Sequence, residues 1–345
     1  MKNLSRSSRL QWLPLFLMFT SSLAAADSYH LLNRISIPGD YGWDYLTTDT
    51  EGRRLYVSHD REVVVLDLDS GATVGKIPGS GIHGIAIAHE PGRGFISCTD
   101  PGSVIIFDLK TLAVTGKVKV GADPNGIIFD HKTGRIFTAD RGSQRVTAID
   151  AMTGKVAGII DSLGGRTEHL ASDEAGHIFL NMQDRNTVLR LDAQALKVMN
   201  TWPVAPCEQP SSMDMDRKNE RIFIGCRSGL MAVVDGNTGN ILSTQPIEKG
   251  VDATEFDPAR GLIFFSSGGG DGGLAIFHQD SPDQYTPVAT VKTKAGARTM
   301  ALDRKSGKVY LSVAQFGPRP AADPTKPPQR PPMIPGTFSV LVFGQ

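Results

Sequence analysis

Short apolar runs separated by polar turns recur along the chain. The clearest copy is 125–156, NGIIFDHKTGRIFTADRGSQRVTAIDAMTGKV, which holds three such runs: 127–129, 136–138 and 146–149. The third run of each copy ends in aspartate, at Asp67, Asp108, Asp150, Asp192 and Asp235, in steps of 41, 42, 42 and 43; His278 lies 43 further on. Runs this short are strands, and a period of roughly 40–45 with several strands per unit predicts propeller blades. Helical repeats of that length would need amphipathic stretches of about 10 or more residues, and the pattern holds none.

Seven units are counted, so the pattern predicts an all-β, seven-bladed β-propeller. Between the first and second runs stand DHKTG, DPARG and DRKSG (130–134, 257–261, 303–307). Asp bonds the backbone two residues on and Gly supplies a positive φ, so these are turns with a mechanism. Unit 7 has a first and a second strand, then FSVLVF (338–343) as a third, and no fourth. YHLLNRISI (29–37) resembles the fourth strands elsewhere, so the N-terminal strand is expected to complete the last blade and remove its exposed edge.

The ends change the picture in two ways. Residues 1–26 carry Lys2, Arg6 and Arg9, a largely apolar run from Leu10 to Leu23, and Ala24-Ala25-Ala26. This is the pattern of a secretory signal peptide, giving a mature chain near Asp27 that is secreted, expected in the periplasm, with no later stretch able to span a membrane. The rest, 27–345, is read as one propeller. A Pro-rich segment, 317–336, interrupts unit 7 as a surface loop or an extended arm.

At this point the repeat resembles a known family. IFTADRGSQRVTAID and LYVSHDREVVVLD, with PNGIIFD and HGIAIAH as first strands, are similar to the YVTN-repeat β-propellers, the YncE-like secreted proteins. The resemblance covers the mature chain and implies the fold more strongly than any activity. Unit 6 departs most, with His278 at the aspartate position. The family has been associated with nucleic acid. The mature chain, with 33 basic against 36 acidic residues, carries no basic surplus to neutralise phosphates.

Candidate chemistry is sought on the loops that share one face around the central channel. One ring opens the first strands: Trp43, His83, Asn125, Glu168, Ser211, Asp252 and Arg298. A second closes the second strands: His59, Cys98, Asp140, Met182, Cys226, Ser267 and Val313. Core positions are alike between units and these differ in each, as an asymmetric ligand would require. The expected ligand-binding face is Trp43, His59, His83, Asn125, Asp140, Arg141, Glu168, His169, Asp252 and Arg298. His59, His83 and Cys98 fall in adjacent units and leave a divalent metal open, without any short ligand spacing to support it; otherwise no cofactor is expected. Cys207 and Cys226, both in unit 5, could form one disulfide. The Asp-Arg pairs at 60–61, 140–141 and 184–185 suggest either an anion-binding cluster or blade-to-blade ion pairs. GGGDGG (268–273) matches a dinucleotide fingerprint formally, but a strand rather than a helix follows it.

No nucleophile elbow, haem-attachment motif or triad spacing occurs. The leading expectation is therefore a monomeric propeller that binds a small-molecule ligand or a partner protein and does no chemistry itself. A lactonase-type hydrolase or lyase, as in the similar 6-phosphogluconolactonase-like propellers, is the alternative; an accessory protein to a redox enzyme is the third.

Overall fold

A computed structural model describes residues 29–40, 42–318, 320 and 331–345. The expected signal peptide, 1–26, and the middle of the Pro-rich segment lie outside them. The described chain is an all-β propeller. Unit 3 shows the plan: Pro124–Asp130, Arg135–Asp140, Arg145–Asp150 and Lys155–Ile160 pair antiparallel in sequence order, the first strand innermost. These four are lettered a to d, and units 4, 5 and 6 repeat them.

The expectation of seven separate blades is corrected. The described strands form six sheets, five of four strands and one of six. Units 1 and 2 share the six-stranded sheet, because two strands run through where loops were expected. Arg54–Asp67 combines strands b and c, and Thr73–Ala88 combines strand d of unit 1 with strand a of unit 2. Pairing spans the joint, with Asp60 opposite Ile82 and Ile82 opposite Cys98.

The sealing role given to the N-terminal strand is also corrected. His30–Ser36 pairs with Ser339–Gly344, but it is the outer edge of its sheet and nearly all its residues are exposed. An edge is present there rather than removed.

The core lies between neighbouring sheets. Ala86, Phe95 and Ile106 of unit 2 pack on Ile127, Ile136 and Ile149 of unit 3, all buried. An arginine opening strand b then reaches the c–d turn of the next unit: Arg93 Nη1 donates to Met152 O at 2.6 Å and Arg135 Nη1 to Ala193 O at 2.8 Å. The repeated aspartates cap those turns, Asp108 accepting the Thr111 amide at 2.7 Å and Asp150 the Thr153 amide at 2.7 Å. Such bonds to the charged form hold both carboxyls below the usual range.

Cys207 and Cys226 form a disulfide that ties the loop entering unit 5 to the end of its strand b. The ends of the Pro-rich segment are pinned, Gly317 N–H donating to Pro332 O and Ile334 N–H to Gln315 O, each at 2.8 Å. Among the described residues no helix is long and apolar enough to cross a membrane.

Candidate functional site

Strand pairing defines which residues are equivalent at the channel mouth. The strand-a residues facing the fourth position of strand b are Leu46, Ile85, Ile127, Leu170, Met213, Thr254 and Met300. Two residues before them stand Asp44, His83, Asn125, Glu168, Ser211, Asp252 and Arg298. The expected ring is thus met at six positions and corrected at the first: Asp44, not Trp43, belongs to it. Trp43 packs on Phe338 and Phe316, at 5.2 and 5.6 Å between ring centroids.

Serines near the end of strand b fix the ring's backbone. Asp44 N–H donates to Ser58 Oγ at 2.9 Å; Ser97 Oγ accepts from Gly84 N–H at 2.8 Å and donates to Asn125 O at 2.6 Å; Ser266 Oγ donates to Arg298 O. On this frame the side chains join into one chain of charges. His83 Nδ1 bonds the Asp44 carboxylate. Arg298 lies 3.9 Å from Asp44 and donates to Asp252 at 2.8 Å, and Arg227 approaches Asp252 at 3.8 Å. Beside them Glu168 faces Arg166 at 3.4 Å and Arg141 at 3.9 Å. Burial raises the Glu168 and Asp252 carboxyls, against the arginines beside each; Asp44 pushes both further up.

The second expected ring is not part of this surface. His59, Cys98, Asp140, Met182, Cys226, Ser267 and Val313 are all fully buried. His59 stacks on Phe338 at 4.6 Å. Burial pushes the Cys98 thiol up to about 11. Asp140 is raised by burial and accepts from Thr138 at 2.6 Å and from Thr147. His59, His83 and Cys98 are thus engaged separately, and no three His, Cys, Asp or Glu side chains among the described residues group as metal ligands. Of the Asp-Arg pairs, Arg141 binds Asp123 through two bonds, 2.7 and 3.1 Å, on the loop entering its own unit. Asp184 accepts the Arg166 amide at 2.7 Å, and Arg185 donates to Gly164 O.

Below the mouth, a cavity of about 140 Å³ is lined by Tyr45, His169, Thr254, Glu255 and Thr299 among others, and shares much of its lining with a wider one of about 600 Å³ that reaches the a–b turns. Burial keeps the His169 ring neutral, its pKa down to about 4. It keeps the Tyr45 hydroxyl protonated too, helped by Asp44, Glu168 and Asp252. Tyr45, Arg166, Arg227, Asp214 and Glu255 were all missed in the sequence. Asp214 and Glu255 are charged residues where the same strand position elsewhere holds Ala86, Ile128 or Ala171, a visible signal.

Glu255 carries a pH prediction. Its side chain is a quarter exposed, onto the channel, where Arg304 lies 3.8 Å away. Burial and then the charge of Asp214 push its carboxyl up to about 8. The folded protein holds this proton more tightly than the unfolded chain. The associated stability is full below the ordinary value of 4.5 and is lost as pH rises through about 8. Urea midpoints are expected to fall as pH rises from 4.5 to about 8 and to level off above that, and Glu255→Gln to flatten the slope; an equal slope in the variant would refute the assignment.

No family model matches the chain, and no curated protein matches it. Among solved structures, Kuenenia stuttgartiensis hydrazine synthase is similar, with a TM-score of 0.69 at 14% identity, covering 80% of this chain and 94% of that chain. At that identity the likeness shows the β-propeller fold alone.

Proposed function

We propose that the chain is an exported, monomeric propeller of the YVTN-repeat, YncE-like kind that binds a small polar molecule at the channel mouth and does no chemistry itself. One observation carries the reading. Positions equivalent by strand pairing bear Asp44, His83, Glu168, Asp252 and Arg298, while the strands behind them repeat. Four of the five are linked His83–Asp44–Arg298–Asp252. Different groups at equivalent points of a repeating frame give the asymmetric polar lining that a specific ligand needs. The repeat residues quoted above support the family. Export is supported by the N-terminal pattern and by the Cys207–Cys226 disulfide, a bond that persists in oxidising compartments. Binding of this kind needs no cofactor.

The test is a thermal-shift screen of the purified protein against a broad panel of polar metabolites. A ligand at about 100 times its Kd adds about 2.7 kcal/mol of stability, and Arg298→Ala is expected to abolish the shift. A panel in which nothing shifts the wild type would refute the proposal.

A second reading, a lactonase-type hydrolase or lyase, is favoured by the His83–Asp44 pair. A carboxylate holding Nδ1–H leaves Nε2 free to take a proton from water attacking a carbonyl. Turnover of a lactone panel, lost by at least 100-fold in His83→Ala with folding intact, would put this reading first.

A further inference from the structure

The mouth is polarised by depth. The side chains of Asp44, Glu168 and Asp252 are 7–17% exposed, whereas those of Arg141, Arg166, Arg227 and Arg298 are 23–44% exposed. Carboxylates therefore lie inside and guanidinium groups form the rim.

The inner layer also holds unmet acceptors. Glu168 is 6% exposed, and its Oε2 receives no hydrogen bond. Arg166 and Arg141 stand at ion-pair distance, but Arg141 directs its Nε and Nη2 to Asp123. Asn125, in the adjacent unit and 3% exposed, has a side-chain oxygen that receives no hydrogen bond either. A buried acceptor without a donor is costly. A ligand that seats here should bring several donors together with positive charge: burial disfavours the ionised Glu168 carboxylate, Arg166 and Arg141 ease its charge while Asp252 and Asp44 oppose it, and a cation at the buried Oε2 would add the missing hydrogen bond. A hydroxyl brings one donor and no charge; an ammonium brings three donors and one charge. At the rim, Arg166, Arg227 and Arg298 offer planar forks suited to a carboxylate.

Resting on the reading of the mouth as a small-molecule site, we infer that its ligand is an amino-acid-like zwitterion bound ammonium-first, with the ammonium group on Glu168 and Asn125 and the carboxylate against the arginine rim.

The experiment is calorimetric titration of the mature protein at pH 7 with ω-amino acids from glycine to 6-aminohexanoate and the matched ω-hydroxy acids. At least one amino acid is expected to bind 10-fold or more tighter than its hydroxy counterpart. Glu168→Gln should weaken that amino acid by 10-fold or more and leave the hydroxy acid within 2-fold. Asn125→Asp, which adds negative charge beside the ammonium, should tighten it by 3-fold or more, an effect that a folding defect cannot produce. Hydroxy acids binding as tightly as amino acids, or Glu168→Gln and Asn125→Asp without these effects, would overturn the inference. If no zwitterion binds while another metabolite shifts the wild type but not Arg298→Ala, the inference falls and the binding function stands. If nothing in either panel binds, both fall.

Discussion

Arg53→Met is expected to destabilise the protein by about 3–5 kcal/mol, the cost of leaving a buried charge without its partner. Arg53 Nη1 donates to both carboxylate oxygens of Asp303, at 3.0 and 2.9 Å, and the Asp303 side chain has no exposure. The pair joins the a–b turn of unit 1 to that of unit 7. Methionine keeps the apolar stem and removes only the guanidinium, so the loss is chiefly electrostatic. Arg53 also meets Asp69 at 2.6 Å, but Asp69 is 68% exposed. Asp69→Ala should therefore leave stability nearly unchanged, as an exposed ion pair contributes little. Burial alone would raise the Asp303 carboxyl, yet Ser306 and Arg53 hold it below its ordinary value of 3.8. Its stabilisation is present above that value and is lost as pH falls through the lower folded one. The gap between Arg53→Met and the wild type should accordingly narrow as pH falls below 3.8. Urea denaturation at pH 7 and at a pH below 3.8 measures both effects; a variant within about 1 kcal/mol of wild type at pH 7 would contradict the pairing.

The double variant Cys207→Ala/Cys226→Ala is expected to lose about 3 kcal/mol, the chain-entropy value for a short closed loop. The two cysteines are 19 residues apart and both are fully buried. Unbridged, the 208–225 segment gains freedom in the unfolded chain, while the truncated side chains leave unfilled space against Val204, Met213 and Ile224. The bridge also anchors the loop that leads into Ser211, so ligand binding at the mouth should weaken along with stability. Denaturation of the oxidised wild type against the double variant measures the loss. A difference under about 1 kcal/mol would show that the loop is held by its packing instead.

The propeller was legible because its strands are short, its turns carry Asp and Gly, and the aspartate step hardly varies. The sheet count was not. A pattern of apolar runs marks residues that pack, and it cannot show that His59–Asp60–Arg61 or Pro78–Gly79–Ser80–Gly81 continue as extended strand. The ring at the mouth was readable at six positions, and Asp44 could have been found. In units 3 to 7 the ring residue stands five before the a–b turn aspartate, as Asn125 does before Asp130, and Asp49 points back to Asp44 by the same rule. The bulky Trp43 drew the strand start one residue early. The burial of the second ring had no local signal, because strand b has a paired strand on both sides and a neighbouring sheet over it. Cys98 and Asp140 look alike in sequence whether they face solvent or another blade.

The unbroken strand Thr73–Ala88 sets where this chain tolerates being recut. Residues 29 and 345 lie at the same end of one sheet, since His30 pairs with Gly344, so a short linker could join them and new termini could be opened elsewhere. The connections at 121–123, 161–166, 204–209, 247–250 and 293–299 lie between sheets, and opening one of them breaks no strand. Opening the chain at 79–81 would sever a strand within the six-stranded sheet. Circular permutants should therefore fold when cut at these connections between sheets and fail when cut at 79–81, between units 1 and 2. The joint makes those two units one piece in a ring otherwise built of interchangeable parts.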